Sequence, residues 1–139
     1  MKIRDIMTDS VVRIDPEESV AVAARMLTHY NIGALPVCST NGSLWGMVTD
    51  RDMVTRCLAS GRLAEMTPVR DVMSGNLVWV TPETEVNEAI RLMGVRQIRR
   101  LPVLEAGKLC GMVSLGDLSG VENAVKALNQ ISNNVSSRK

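Results

Sequence analysis

Apolar residues at Val20, Ala23, Ala24 and Leu27 give the segment Ser19 to Tyr30 the 3.6-residue spacing of an amphipathic helix. Val86, Ala89, Ile90 and Met93 give Glu85 to Arg96 the same spacing. A short helical turn (Lys2 to Met7, Pro68 to Met73) and an extended run (Val11 to Ile14, Leu77 to Val80) precede each helix. Asp15-Pro16 and Thr81-Pro82 end those runs and are expected to open the helices, with Pro and Glu in the first turn. Two apolar runs joined by a turn follow each helix, which is a hairpin signal. The first hairpin is Ala34 to Cys38, then Ser39-Thr40-Asn41-Gly42, then Leu44 to Val48. The second is Leu101 to Leu104, then Glu105-Ala106-Gly107, then Leu109 to Val113. A final helix is expected over Arg51 to Ser60, stopped by Gly61. Its counterpart starts near Leu115 and runs through Val121, Val125 and Leu128 to about Ile131. Residues 62–68 read as a linker, and 132–139 as a polar tail that frays.

The element order β-α-β-β-α thus occurs twice, and the residues repeat with it. Ile3-Arg4-Asp5-Ile6-Met7-Thr8 matches Val69-Arg70-Asp71-Val72-Met73-Ser74. At the same offset Pro16-Glu17 matches Pro82-Glu83, and Leu35-Pro36-Val37 matches Leu101-Pro102-Val103. After one deleted residue Gly46-Met47-Val48-Thr49 matches Gly111-Met112-Val113-Ser114, and Asp52 matches Asp117. A repeat of this length is one supersecondary unit used twice. Neither copy buries its apolar face alone, so the copies are expected to pack together about a pseudo-twofold axis, with ligand clefts at the seam. The expected class is α/β of the α+β type. The expected divisions are 1–62, 63–120 and a C-terminal extension over 121–139.

Composition narrows the function. The 139 residues are 45% hydrophobic, with nine Met, no Phe and only Tyr30, Trp45 and Trp79 as aromatics. The core is therefore aliphatic, and stacking on single-stranded nucleic acid has little to work with. A net charge of +1, spread along the chain, gives no footprint for duplex DNA or an anionic membrane. Cys38, Cys57 and Cys110 are odd in number and widely spaced, unlike a disulfide framework or a metal site. No signal peptide and no run able to span a bilayer is legible, which points to a cytoplasmic protein with reduced thiols. His29 is the lone histidine and sits near a helix end, where it complements the helix dipole. No nucleophile–base set, metal cluster, P-loop or GxGxxG motif is present, so no enzyme is expected.

The chemistry concentrates in Gly46-Met47-Val48-Thr49-Asp50-Arg51-Asp52 and Gly111-Met112-Val113-Ser114-Leu115-Gly116-Asp117. In both a strand ends on a hydroxyl residue, and an Asp follows three positions later. The hydroxyl and the helix-start N–H groups suit an anion such as phosphate. The Asp suits a vicinal diol, the 2′ and 3′ hydroxyls of ribose. The same spacing is also that of an ordinary capping box. Its recurrence after an identical Gly-Met-Val adds weight to the ligand reading, although a repeat preserves caps as well.

Together these motifs resemble a tandem pair of cystathionine-β-synthase (CBS) domains, a Bateman module, over about residues 1–120. The variants Thr-Asp-Arg-Asp and Ser-Leu-Gly-Asp are similar to those of stand-alone bacterial CBS-pair proteins. Those proteins in turn resemble the sensor part of the AMP-activated protein kinase gamma subunit. The resemblance implies a regulatory module that requires no cofactor. It implies that AMP, ADP or ATP binds in the clefts, with S-adenosylmethionine or NAD as further adenosyl ligands. By that resemblance one site has Ser114 on phosphate and Asp117 on ribose, beside Met112. Thr8, Val11, Ile32 and Gly33 wall its adenine, and Arg99 and Arg100 reach its phosphates. The other site has Thr49 and Asp52, with Ser74, Leu77, Ile98 and Arg99, and Arg51 as its own cation. A homodimer and an effector protein are the implied partners. The alternative is a structural or partner-binding homodimer whose clefts hold no nucleotide.

Overall fold

The computed structural model describes residues 1–118, so the expected C-terminal helix and tail lie outside the described residues. Helix α1 spans Val20–Tyr30. Strands β1 (Ala34–Cys38) and β2 (Leu44–Thr49) pair antiparallel, with a register shift between Val37 and Cys38. Helix α2 (Asp50–Met53) runs directly into a π turn at Val54–Leu58. In the second copy α3 spans Val86–Arg96, and β3 (Arg100–Glu105) pairs with β4 (Lys108–Ser114). The described residues end in a 3-10 turn, Gly116–Leu118.

Two compact units emerge, and they cut across the repeats. The Thr49 unit holds residues 12–77 with 107–109; the Ser114 unit holds 1–11, 78–106 and the described residues from 110. Each copy therefore gives its opening segment to the other. Val69 N–H donates to the Glu18 carbonyl at 2.8 Å and Arg70 N–H to that of Pro16 at 3.0 Å. Sixty-six positions earlier, Ile3 N–H donates to the Thr84 carbonyl at 2.9 Å and Arg4 N–H to that of Pro82 at 3.0 Å. Ion pairs repeat the exchange: Arg70 with Glu17 in one unit, Arg4 with Glu83 in the other.

Hydrophobic burial, not charge, holds the exchanged segments. Val69 and Val72 are fully buried with Leu35, Val37, Val48 and Cys57, and Ile3 is fully buried with Leu101, Val103 and Val113. Burying one such side chain contributes about 2 kcal/mol. Exposed ion pairs contribute little because water competes for both partners.

The exchange explains two departures from the sequence-based expectation. Pro16 and Pro82 do not open the helices; Ser19 and Glu85 are the N-caps, and the Ser19 hydroxyl accepts from Val22 N–H. The Pro16 and Pro82 carbonyls are instead taken by the other copy's opening segment. The runs 11–14 and 77–80 do not form full strands; each makes a single parallel bridge, Ile14 to Val37 and Val80 to Val103. The opening segments themselves form short 3-10 turns, Ile3–Asp5 and Val69–Asp71.

The hairpin loops also differ. Ala106 and Gly107 form a two-residue loop with φ of +53° and +78°, matching the right-handed strand twist. The loop between β1 and β2 is longer and uses Gly42 at φ +89°.

Candidate functional site

Each hydroxyl–Asp motif forms a reciprocal capping box. Asp52 N–H donates to Thr49 Oγ1 at 3.0 Å, and Thr49 N–H donates to Asp52 Oδ2 at 3.0 Å. Asp117 N–H donates to Ser114 Oγ at 3.2 Å, and Ser114 N–H donates to Asp117 Oδ2 at 2.8 Å. These N–H groups are thus committed to the chain, while each hydroxyl accepts one of them and retains its O–H as a donor toward an anion. One carboxylate oxygen of each Asp is likewise committed. The other has no intrachain partner among the described residues, and a carboxylate has room for further donors. Asp52 is buried, at 8% exposure, whereas Asp117 is exposed. Asp50 is exposed where Asp52 is buried, so Asp50 and Asp52 form no acid–base pair.

The strand before each box is gripped by the exchanged segment. Met47 N–H donates to the Ser74 carbonyl at 2.9 Å, and Ser74 N–H donates back at 2.8 Å. Thr8 and Met112 make the same pair, at 2.9 Å in both directions. The preceding glycines permit this approach. A Cβ on Gly46 would lie 2.5 Å from the Ser74 carbonyl oxygen, and one on Gly111 would lie 2.9 Å from that of Thr8. The repeated Gly-Met-Val is therefore a docking strand for Ser74 and Thr8.

The Thr49 unit also holds Ile32, Gly33, Arg51 and Leu77. The Gly33 carbonyl accepts from Asp50 N–H at 3.2 Å, which sets Ile32-Gly33 beside the Thr49 box. The Ser114 unit holds Thr8, Val11, Ile98, Arg99, Arg100 and Met112. There the Arg99 carbonyl accepts from Leu115 N–H at 2.8 Å, setting Ile98-Arg99 beside the Ser114 box. Within each unit, then, the residues that enter the hairpin lie beside their own repeat's box. The resemblance implied the crosswise grouping, Ile32-Gly33 with Asp117 and Ile98-Arg99 with Asp52. Arg51, Arg99 and Arg100 are exposed, and no carboxylate pairs with them among the described residues.

Two residues at these sites escaped the sequence reading. Arg56 Nη1 donates to the carbonyls of Met73, at 3.1 Å, and Val72, at 3.4 Å. Gln97 ends α3 at φ +60°; its Nε2 donates to the Gly94 carbonyl, and its Oε1 is buried without a partner. The match of Gln97 to Asn31, a residue that favours this left-handed conformation, was the available signal.

Burial pushes the Cys38 thiol above its ordinary range, with Arg13 opposing, and desolvation also raises that of Cys110. Trp45 and Trp79 are 46% and 51% exposed. His29 stacks edge-on against Tyr30. A hollow of about 180 Å³ is lined by Met1, Glu85, Val86 and Asn87 and includes none of the candidate site residues.

Residues 3–59 and 69–124 each match the CBS domain family. The chain belongs to the CBS domain family. It is 41% identical to the CBS domain-containing protein YhcV of Bacillus subtilis, over 94% of this chain and 86% of that protein. The crystal structure of Hypoxic Response Protein I, with two coordinated zinc ions, superposes with a TM-score of 0.79 at 30% identity. The match covers 87% of this chain and 98% of that one. Among the described residues here, no group of three or more His, Cys, Asp and Glu side chains is placed to hold a metal. The CBS domain pair of protein MJ0100, in complex with 5-methylthioadenosine and S-adenosyl-L-methionine, shares the fold with a TM-score of 0.75 at 23% identity. That match covers 87% of this chain and 94% of that one. The fold is a CBS pair of α+β class, and such pairs are regulatory modules. No helix among the described residues is long and apolar enough to cross a membrane.

Proposed function

We propose that this CBS pair is a cytoplasmic sensor without catalytic activity that binds adenosyl ligands at Asp52 and Asp117. AMP, ADP and ATP are the first candidates, S-adenosylmethionine and NAD the others. The observation that carries the reading is the pair of half-committed carboxylates. Each spends one oxygen on its capping box, and among the described residues the other has no partner and suits a ribose diol. Thr8, Val11, Met112 and Ser114 lie in the unit of Asp117, with Arg99 and Arg100 as phosphate donors. Ile32, Gly33, Thr49, Ser74 and Leu77 lie in the unit of Asp52, with Arg51 as the cation. The adenosyl ligands of the MJ0100 pair agree with this ligand class. A ligand regulates only through different affinity for two arrangements of the protein. Micromolar binding corresponds to about −8 kcal/mol, enough to bias a transition of a few kcal/mol toward an effector protein.

Isothermal titration with AMP, ATP and S-adenosylmethionine tests the reading, beside Asp52→Ala and Asp117→Ala. Heat of binding that the double variant abolishes supports it. Silence from all three compounds sinks it, and turnover of the nucleotide sinks the non-catalytic part.

The second reading, a structural or partner-binding homodimer, draws on a different observation. Val54, Leu58, Leu63 and Met66 are 54–78% exposed in the Thr49 unit, and the capping boxes account for both motifs without a ligand. A homodimer belongs to both readings. Sedimentation equilibrium of the wild type and Leu58→Glu tests it: loss of a dimer in the variant supports this face, and a monomeric wild type removes the homodimer from both.

A further inference from the structure

The helix after the Thr49–Asp52 box changes its winding. Ala59 N–H donates to the Val54 carbonyl at 2.8 Å, and Arg62 N–H donates to that of Cys57 at 3.0 Å, both five residues back. Such π turns are rare, occur mostly as single turns, and are frequent at functional sites. The widened turn leaves Cys57 fully buried beside Val69 and Val72. It also carries Arg56, whose guanidinium reaches the Met73 and Val72 carbonyls. These carbonyls immediately precede Ser74, the residue paired in both directions with Met47. Met47 lies two residues before Thr49 on β2. A continuous path therefore runs from Asp52 through the π turn to Arg56, then to Ser74 and back to the docking strand. The second copy differs at the matched position. The offset that matches Asp52 with Asp117 matches Arg56 with Val121, whose side chain has no donor.

We propose that Arg56 is a positioning residue that clamps Ser74 against β2, so that the Asp52 site is held in its binding geometry. Arg56 acts through Ser74. Its role as a clamp rests on the geometry alone; its effect on ligand affinity rests on the function proposed above. Charged donors on backbone carbonyls make stronger hydrogen bonds than neutral ones. Losing this clamp should let the Ser74–Met47 pair open about ten times more often.

Amide hydrogen exchange on the full chain without ligand tests the clamp. In Arg56→Ala the Ser74 and Met47 amides should exchange about tenfold faster than in wild type, while the matched Thr8 and Met112 amides keep their rates. Arg56→Lys should recover part of the protection, because its ammonium can still donate to one carbonyl. Unchanged Ser74 and Met47 rates, or acceleration of both pairs alike, overturn the proposal. AMP titrated into Asp117→Ala, where only the Asp52 site remains, tests the coupling. Adding Arg56→Ala should raise Kd by up to about tenfold, and adding Arg56→Lys should raise it less. Unchanged affinity despite faster Ser74 exchange overturns the link to binding. Absence of binding by AMP, ATP and S-adenosylmethionine in the wild type sinks the functional reading, and the exchange rates then decide the clamp by themselves.

Discussion

The Thr49–Asp52 and Ser114–Asp117 boxes are one local device in two settings. Both close a reciprocal cap, and both follow a strand gripped by the other copy's opening segment. Around the first box the chain buries the carboxylate, continues into helix and π turn, and adds the Arg56 clamp. Around the second the carboxylate stays exposed, and Arg99 and Arg100 stand nearby without carboxylate partners among the described residues. Sequence symmetry thus specifies the backbone device, while side chains outside the motif make the settings unequal. The first setting is ordered by the chain itself; the second keeps more charge available for an anion.

The steepest test of that comparison is at the docking glycines. Gly46→Ala drives a methyl into the Ser74 carbonyl and should cost about 3 kcal/mol in urea unfolding. Gly111→Ala meets the flexible Met7 thioether at 2.8 Å before the Thr8 carbonyl and should cost about 1.5 kcal/mol. Equal costs would mean that the two docking strands are equally tight. Next, Val72→Ala should cost about 2 kcal/mol, far more than Arg70→Ala, because burial holds the exchanged segment. The reverse ranking would assign the exchange to the ion pairs.

Asp52→Ala should then cost about 1.5 kcal/mol and Asp117→Ala about 0.5 kcal/mol, since only the first leaves a partly buried Thr49 N–H without its acceptor. Thermal melts of the two variants check the order. At the tight hairpin, Ala106→Asn should raise stability by about 0.5 kcal/mol, because Ala106 sits at φ +53° where Asn is favoured. The smallest effect concerns the thiols. Burial raises the Cys38 thiol, so its neutral form is favoured on folding; that contribution is present below the ordinary pKa of 9.0 and lost as pH rises through the raised value. Iodoacetamide at pH 8 should therefore leave Cys38 unmodified in the folded chain and label it after unfolding. Rapid labelling of folded protein would contradict its burial.

Local pattern carried much of this fold. The periodicity of Val20 to Leu27 and Val86 to Met93 placed both helices to within one residue, and the apolar runs placed all four strands. These elements depend on neighbours along the chain, which a sequence displays. The boxes were legible too, with their double meaning as cap and carboxylate site. Arg56 was not, because nothing in Val54-Thr55-Arg56-Cys57 marks a π turn and its acceptors lie sixteen and seventeen residues away. Pro16 was misleading for the same reason: its carbonyl is claimed by Arg70, fifty-four positions on.

By itself the sequence determined the duplication, the order of helix then hairpin and the spacing of hydroxyl and Asp in each copy. Only the tertiary structure decided that the opening segments change places, that the extended runs shrink to single bridges, and that one Asp is buried and the other exposed. Spacing along the chain fixes which groups can meet locally. Which distant carbonyl claims a given N–H, and how much water a carboxylate keeps, are settled by packing between segments 27 to 104 residues apart.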